Sequence, residues 1–263
     1  MPCGPQASCQ VLVLRLPFAS QAESMTRLQS VSCQAANARA TIRLMLIIVA
    51  NTKGGVGKST IAVHLAVWLL DQGYDVALLD TDEQGTASSW LSKAEPKLPV
   101  YSEREPNKVI SLAKRLKKQH EFVICDTEGS YGFVGTLLPS LADLAILPLQ
   151  PSEADVDELD KALFHIQVAQ ESKGTPRAVL VLSMTSPNDA KSNRLRKLLK
   201  ATAVPVAKQT IRRLNITRDV AKKGVVTRGK TASSQNAASD FERLFLELLQ
   251  DRLPGRRKRV GNG

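Results

Sequence analysis

Four cysteines in 263 residues, three of them within the first 44, leave a single thiol, Cys125, in the rest of the chain. That excludes a disulfide framework and a paired-cysteine metal site, and it points to a reducing cytoplasm. No apolar run approaches the ~20 residues that a membrane-spanning helix needs. Aromatic residues make up only 4% of the chain. None interleaves with its basic stretches, which argues against a surface that stacks single-stranded bases. Acids are also short: 25 Asp and Glu face 36 Lys and Arg, a formal net charge of +11. The excess is local. Thirteen Lys or Arg lie between Lys191 and Lys230 against one acid, Asp219, and Arg256-Arg257-Lys258-Arg259 adds a basic tail. A polyanionic partner is the physical expectation for such a region.

What the chain does have is Val, Leu, Ile and Ala in short runs, with a hydrophobic share of 43%. Residues 1–44 lack a sustained period. They read as a disordered leader, or as a start assigned upstream of Met45, with an Arg-bearing targeting leader as the alternative. From Met45 strands alternate with helices. The runs 46–50, 76–80, 122–126, 145–149 and 178–182 are almost uninterruptedly apolar, as in parallel strands covered on both faces. Helices are expected over 61–70, 86–93, 107–119, 152–171, 191–202 and 238–253. The pattern predicts an α/β fold: a doubly wound, mostly parallel sheet with helices on both faces, filling 45–253, with 254–263 a disordered basic tail. In such sheets ligands bind at the carboxyl ends of the strands.

The first strand runs into Asn51-Thr52-Lys53-Gly54-Gly55-Val56-Gly57-Lys58-Ser59-Thr60. Strand, glycine-rich turn and helix form the context of a phosphate-binding loop, in which backbone N–H groups and a helix N-terminus face phosphate oxygens. Lys58 is placed to reach the β- and γ-phosphates and Ser59 to ligate Mg²⁺. Thr52 stands where the general pattern has its first glycine. Asp126 closes an apolar strand, and Asp80 and Asp82 close another; all three are candidates to face Mg²⁺ or the attacking water. Lys53 is a second lysine in a loop that already has Lys58. It can reach the same nucleotide or one held by a facing subunit.

On these residues the chain resembles the ParA/MinD family of deviant Walker A ATPases, a branch of the P-loop NTPases. Lys53 through Thr60 looks like the deviant Walker A motif, Asp80-Thr81-Asp82-Glu83-Gln84-Gly85 like the second motif, and Phe122–Asp126 like the Walker B strand. The segment from Ala142-Asp143 to Pro151-Ser152 is similar to the strand and turn that follow. The likeness is nearest to short ParA-type partition ATPases, which lack an N-terminal helix-turn-helix domain. Glu83 and Glu128 depart from the family pattern, each at a position usually held by proline.

The resemblance implies a slow, partner-stimulated ATPase using ATP and Mg²⁺. Residues 53–60 would bind nucleotide, with Lys53 crossing to the partner's ATP in a homodimer. Ser59, Asp80 and Asp126 would serve the metal, and Asp82 would position water. It also implies non-specific DNA binding, a centromere-binding ParB-like adaptor, and a cytoplasmic, nucleoid-associated protein that segregates plasmid or chromosomal DNA. The residues that would meet DNA phosphates are Arg194, Lys197, Lys200, Arg212, Arg213, Arg218 and Lys222. The alternative is a MinD-like or carrier-positioning ATPase that places a membrane or protein cargo. The membrane form is disfavoured, because the final helix carries Glu242, Glu247 and Asp251 and its apolar stripe reads as core.

Overall fold

A computed structural model describes residues 44–128, 137–186, 190–221 and 224–253, and of 153–158 the backbone alone. The expected leader, the basic tail and Lys222 lie outside the described residues. The chain runs β1 (Met45–Val49), α1 (Lys58–Asp71), β2 (Val76–Asp80), α2 (Thr86–Ala94), β3 (Val100–Ser102), α3 (Pro106–Gln119) and β4 (Phe122–Asp126). After a short 3₁₀ turn at Leu138–Ser140 come β5 (Leu144–Leu149), α4 (Glu153–Lys173), β6 (Arg177–Thr185), α5 (Ala190–Leu199), β7 (Ile211–Arg212) and α6 (Asn215–Asp219). A second 3₁₀ turn, Val226–Arg228, leads into α7 (Ala232–Leu249).

The strands form one sheet in the order β3-β2-β4-β1-β5-β6-β7, and every pairing is parallel. Strand alternation divides the core into two layers. Ile47, Val49, Leu78, Ile124 and Ile146 pack with α1, α2 and α7, while Leu46, Ile48, Val123, Leu147 and Leu180 pack with α3, α4 and α5. This is the doubly wound sheet expected from the sequence. β1 connects outward to β2 past β4, whereas β4 connects to β5 on the other side of β1. The strand order therefore switches direction beside β1, where doubly wound sheets place their ligands.

The elements differ from expectation where the local signal is weakest. β3 is a three-residue, half-exposed edge strand, too short to show a period, and it follows the expected break at Pro96–Pro99. α7 starts at Ala232 rather than 238 because the Thr231 hydroxyl accepts the Ser234 N–H and caps it. On that helix Phe241, Leu244, Phe245, Leu248 and Leu249 are all buried in the core. Exposing such a face to water would forfeit about 1.5–3 kcal/mol per side chain. Among the described residues no helix is long and apolar enough to cross a membrane.

Candidate functional site

The glycine-rich loop leaves the carboxyl end of β1 and is fixed from below by Asn51. That buried side chain donates to the Pro148 carbonyl (2.6 Å) and accepts the Lys53 N–H (2.9 Å), turning the loop away from the sheet. Gly57, with φ of 96°, is the left-handed residue from which α1 starts at Lys58. The Lys58 ammonium, nearly buried, donates to the Lys53 carbonyl at 2.9 Å and so braces the loop across its mouth. Burial pushes its pKa down, while the charges of Asp126, Asp82 and Glu128 pull it back up. Lys53 is half-buried at the start of the same turn.

Asp126 stands beside Val49 in register, one strand from the loop, and Asp80 stands beside Asp126. Both are fully buried. Among the described residues both Asp126 carboxylate oxygens are buried without a hydrogen-bond partner. Desolvation is the main cause of a pKa pushed up to about 7, with Asp80 and Asp82 adding to it and the nearby Ser59 hydroxyl and Lys58 opposing. A buried carboxylate of this kind, next to a hydroxyl and a phosphate loop, fits a hard divalent cation with oxygen ligands.

Asp80 has a different task. Its two oxygens accept the Asp82 N–H (3.1 Å) and the Ser88 N–H (2.8 Å), so it fixes the loop between β2 and α2. β2 ends at Asp80, and Asp82 sits on that loop, half-buried, accepting the Gln84 N–H at 2.8 Å. The strand thus closes at Asp80, and Asp82 stands beyond it. The Arg104 guanidinium reaches the Asp82 and Glu83 carbonyls, both at 3.4 Å.

A cavity of about 420 Å³ opens beside the loop, with Gly55, Gly57 and Thr60 on one wall and Ile211, Arg213, Leu214, Thr217 and Arg218 on the other. Gln150 spans the two walls: its amide donates to the Gly55 carbonyl (3.0 Å) and its oxygen accepts from Arg213 (3.4 Å). At the base, the Ser183 hydroxyl donates to the Val56 carbonyl at 2.6 Å. Met184, with φ of 54°, holds a left-handed backbone rare for its type and lies against Gly57.

The sequence matches the CobQ/CobB/MinD/ParA nucleotide binding domain over residues 47–226. The chain belongs to this family. It is similar to maintenance of carboxysome distribution protein A of Halothiobacillus neapolitanus, at 27% identity over 80% of this chain and 99% of that protein. Protein ParA of Rhizobium radiobacter is 29% identical over 54% of this chain and 65% of that protein. Among solved structures, cobyrinic acid a,c-diamide synthase of Mycobacterium smegmatis, with bound ATP analogue and magnesium, matches with a TM-score of 0.60. Its identity is 18%, over 83% of this chain and 99% of that one.

Within this MinD/ParA-type domain the basic residues sort into three groups. Arg194, Lys197 and Lys200 are exposed on or just after α5. Arg213 and Arg218 line the cavity. Arg212, which also lines the cavity, is engaged within the fold: its guanidinium grips the Asp240 carboxylate, as close as 2.8 Å, and the Asn236 side chain and carbonyl. Arg196, also in the basic stretch, turns inward to the Ala207 and Lys208 carbonyls. The sequence alone does not single out Asn51, Gln150, Ser183 or Met184 as site residues. Asn51 and Gln150 each follow an apolar run, the one signal that marks them, since polar residues at strand ends are where such a sheet places its site.

Proposed function

We propose that this chain, a positioning ATPase of ParA/MinD type, uses ATP and Mg²⁺ to switch between a monomer and a homodimer that binds DNA without sequence preference. The dimer segregates plasmid or chromosomal DNA, with a centromere-binding ParB-like adaptor that stimulates slow hydrolysis. The observation that carries the nucleotide reading is the buried Asp126 carboxylate, without a partner among the described residues, in register beside the strand that delivers the loop.

In this reading the loop amides and Lys58 hold the triphosphate, and the nucleoside enters the cavity walled by residues 211–221. Ser59 and Asp126 hold Mg²⁺, which when bound would neutralise phosphate charge. Asp80 keeps the 81–85 loop in place through its two backbone N–H bonds and, with a lone pair left on each oxygen, also serves the metal. Asp82 orients the water that attacks the γ-phosphorus as the bond to the β–γ bridging oxygen breaks. Lys53 reaches the phosphates of the partner's nucleotide. Arg194, Lys197 and Lys200 meet DNA phosphates, an interaction that needs charge and reach rather than base readout.

A second reading concerns the cargo. The similarity to a carboxysome distribution protein along 99% of its length supports, as the alternative, a protein assembly carried by the same switch in place of a DNA locus. DNA binding by the purified protein with ADP, with ATP, and with ATP after Lys53→Ala tests the shared mechanism. Binding is expected only for the wild type with ATP; equal binding in all three states contradicts it. Pull-down of a centromere-binding protein against one of a protein assembly then separates the cargoes.

A further inference from the structure

The cavity beside the loop has one wall built from the loop and α1 and another built from the segment after β7. The second wall is secured at its start by β7 pairing with β6 and by Arg212 on Asp240. Its far end is tied by two buried side chains distant in sequence. The Trp90 indole N–H donates to the Gly224 carbonyl at 2.8 Å, and the Val226 N–H donates to His64 Nε2 at 3.2 Å. His64 Nδ1 lies 2.7 Å from the Thr60 carbonyl. A carbonyl only accepts, so Nδ1 carries the proton and Nε2 presents its lone pair to Val226. The imidazole thus joins the first turn of α1, itself part of the first wall, to the end of the second. Its ring stacks on Phe241 with centroids 4.2 Å apart and meets Trp90 edge-on at 5.5 Å. His64 is wholly buried and Trp90 is 5% exposed.

We propose that Trp90 and His64 are positioning residues for the nucleoside half of the site, fixing the 211–221 wall against the phosphate loop without touching the nucleotide. The inference rests on the reading that this cavity receives the nucleoside. A wall held at one end only samples more backbone conformations, so it binds a base and ribose less tightly. The triphosphate is held by the loop amides and Lys58, which these bonds do not secure. Loss of either tie should therefore weaken ATP far more than inorganic triphosphate.

The test is calorimetric titration of the full chain, in Mg²⁺, with a non-hydrolysable ATP analogue and with inorganic tripolyphosphate. Trp90→Phe keeps an aromatic ring and removes the donor, His64→Leu removes both ring nitrogens, and His64→Gln keeps one donor and one acceptor. Trp90→Phe and His64→Leu are expected to bind the ATP analogue about tenfold more weakly, the size of one buried hydrogen bond. Tripolyphosphate affinity should stay within about twofold, and His64→Gln should stay near wild type. The two His64 variants decide the matter alone where Trp90→Phe does not fold. An unchanged ratio of the two affinities in Trp90→Phe and His64→Leu overturns the inference, as does an equal loss for both ligands. A wild type that binds the ATP analogue no better than tripolyphosphate overturns instead the nucleoside reading of the cavity.

Discussion

Asp80 and Asp126 are register neighbours at the ends of β2 and β4, and their buried carboxylates are used in opposite ways. Asp80 accepts two backbone N–H groups, whereas among the described residues Asp126 has both oxygens without a partner. Two acids that look alike at the ends of apolar strands thus differ in that Asp80 shapes a loop through its hydrogen bonds and Asp126 does not.

Asp126 makes the nucleotide-free protein sensitive to pH. Its folded pKa, about 7 against an ordinary 3.8, is raised, so the folded state holds a proton that the unfolded state releases in that window. Stability should fall as pH rises from about 4 to 7, by on the order of 4 kcal/mol. Asp126→Asn should remove this slope in denaturant titrations across that range. A variant with the same slope as wild type rules out Asp126 as its source.

His64 gives the opposite slope. Burial lowers its folded pKa to about 4 from 6.5, so nothing is lost above pH 6.5. Below that the unfolded chain takes a proton that the folded chain refuses, and stability drops by ~3 kcal/mol towards pH 4. Comparing unfolding of wild type and His64→Gln between pH 7 and 4.5 isolates this contribution. Parallel curves would remove it.

The exposed cations of α5 and the engaged Arg212 should separate in experiment. Lys197→Ala with Lys200→Ala should weaken DNA binding and lower the salt slope by about one for each phosphate no longer neutralised, with stability within about 0.5 kcal/mol of wild type. Arg212→Ala should instead lower stability by roughly 1–3 kcal/mol, because it strands the half-buried Asp240. Salt-dependent binding isotherms beside thermal melts read both effects. The reverse pattern would place the DNA-binding surface at Arg212.

Much of this is legible before the fold. Five of the seven strands among the described residues announce themselves as apolar runs, and the loop at 51–60 identifies its neighbours because strand, turn and helix are contiguous in the chain. What sequence does not reveal depends on pairing over distance. Trp90 and Gly224 are 134 residues apart, and His64 and Val226 are 162 apart. Within α1, His64 is one polar residue in a helix buried on nearly every side, with no local mark of its two bonds. Arg196 and Arg212 carry the same charge as Arg194, and only tertiary partners turn them inward. Asp80 reads as a metal ligand, and its second task of fixing the 81–85 loop shows only once the partners of its oxygens are known.

The switch is tested most directly by molar mass in solution, measured by light scattering with Mg²⁺ and either ADP or a non-hydrolysable ATP analogue. The wild type should have the mass of one chain with ADP and of two with the analogue, while Lys53→Ala, still binding the analogue through Lys58, should stay at one. A wild type of unchanged mass in both nucleotides, or a Lys53→Ala variant that doubles as wild type does, would contradict the account.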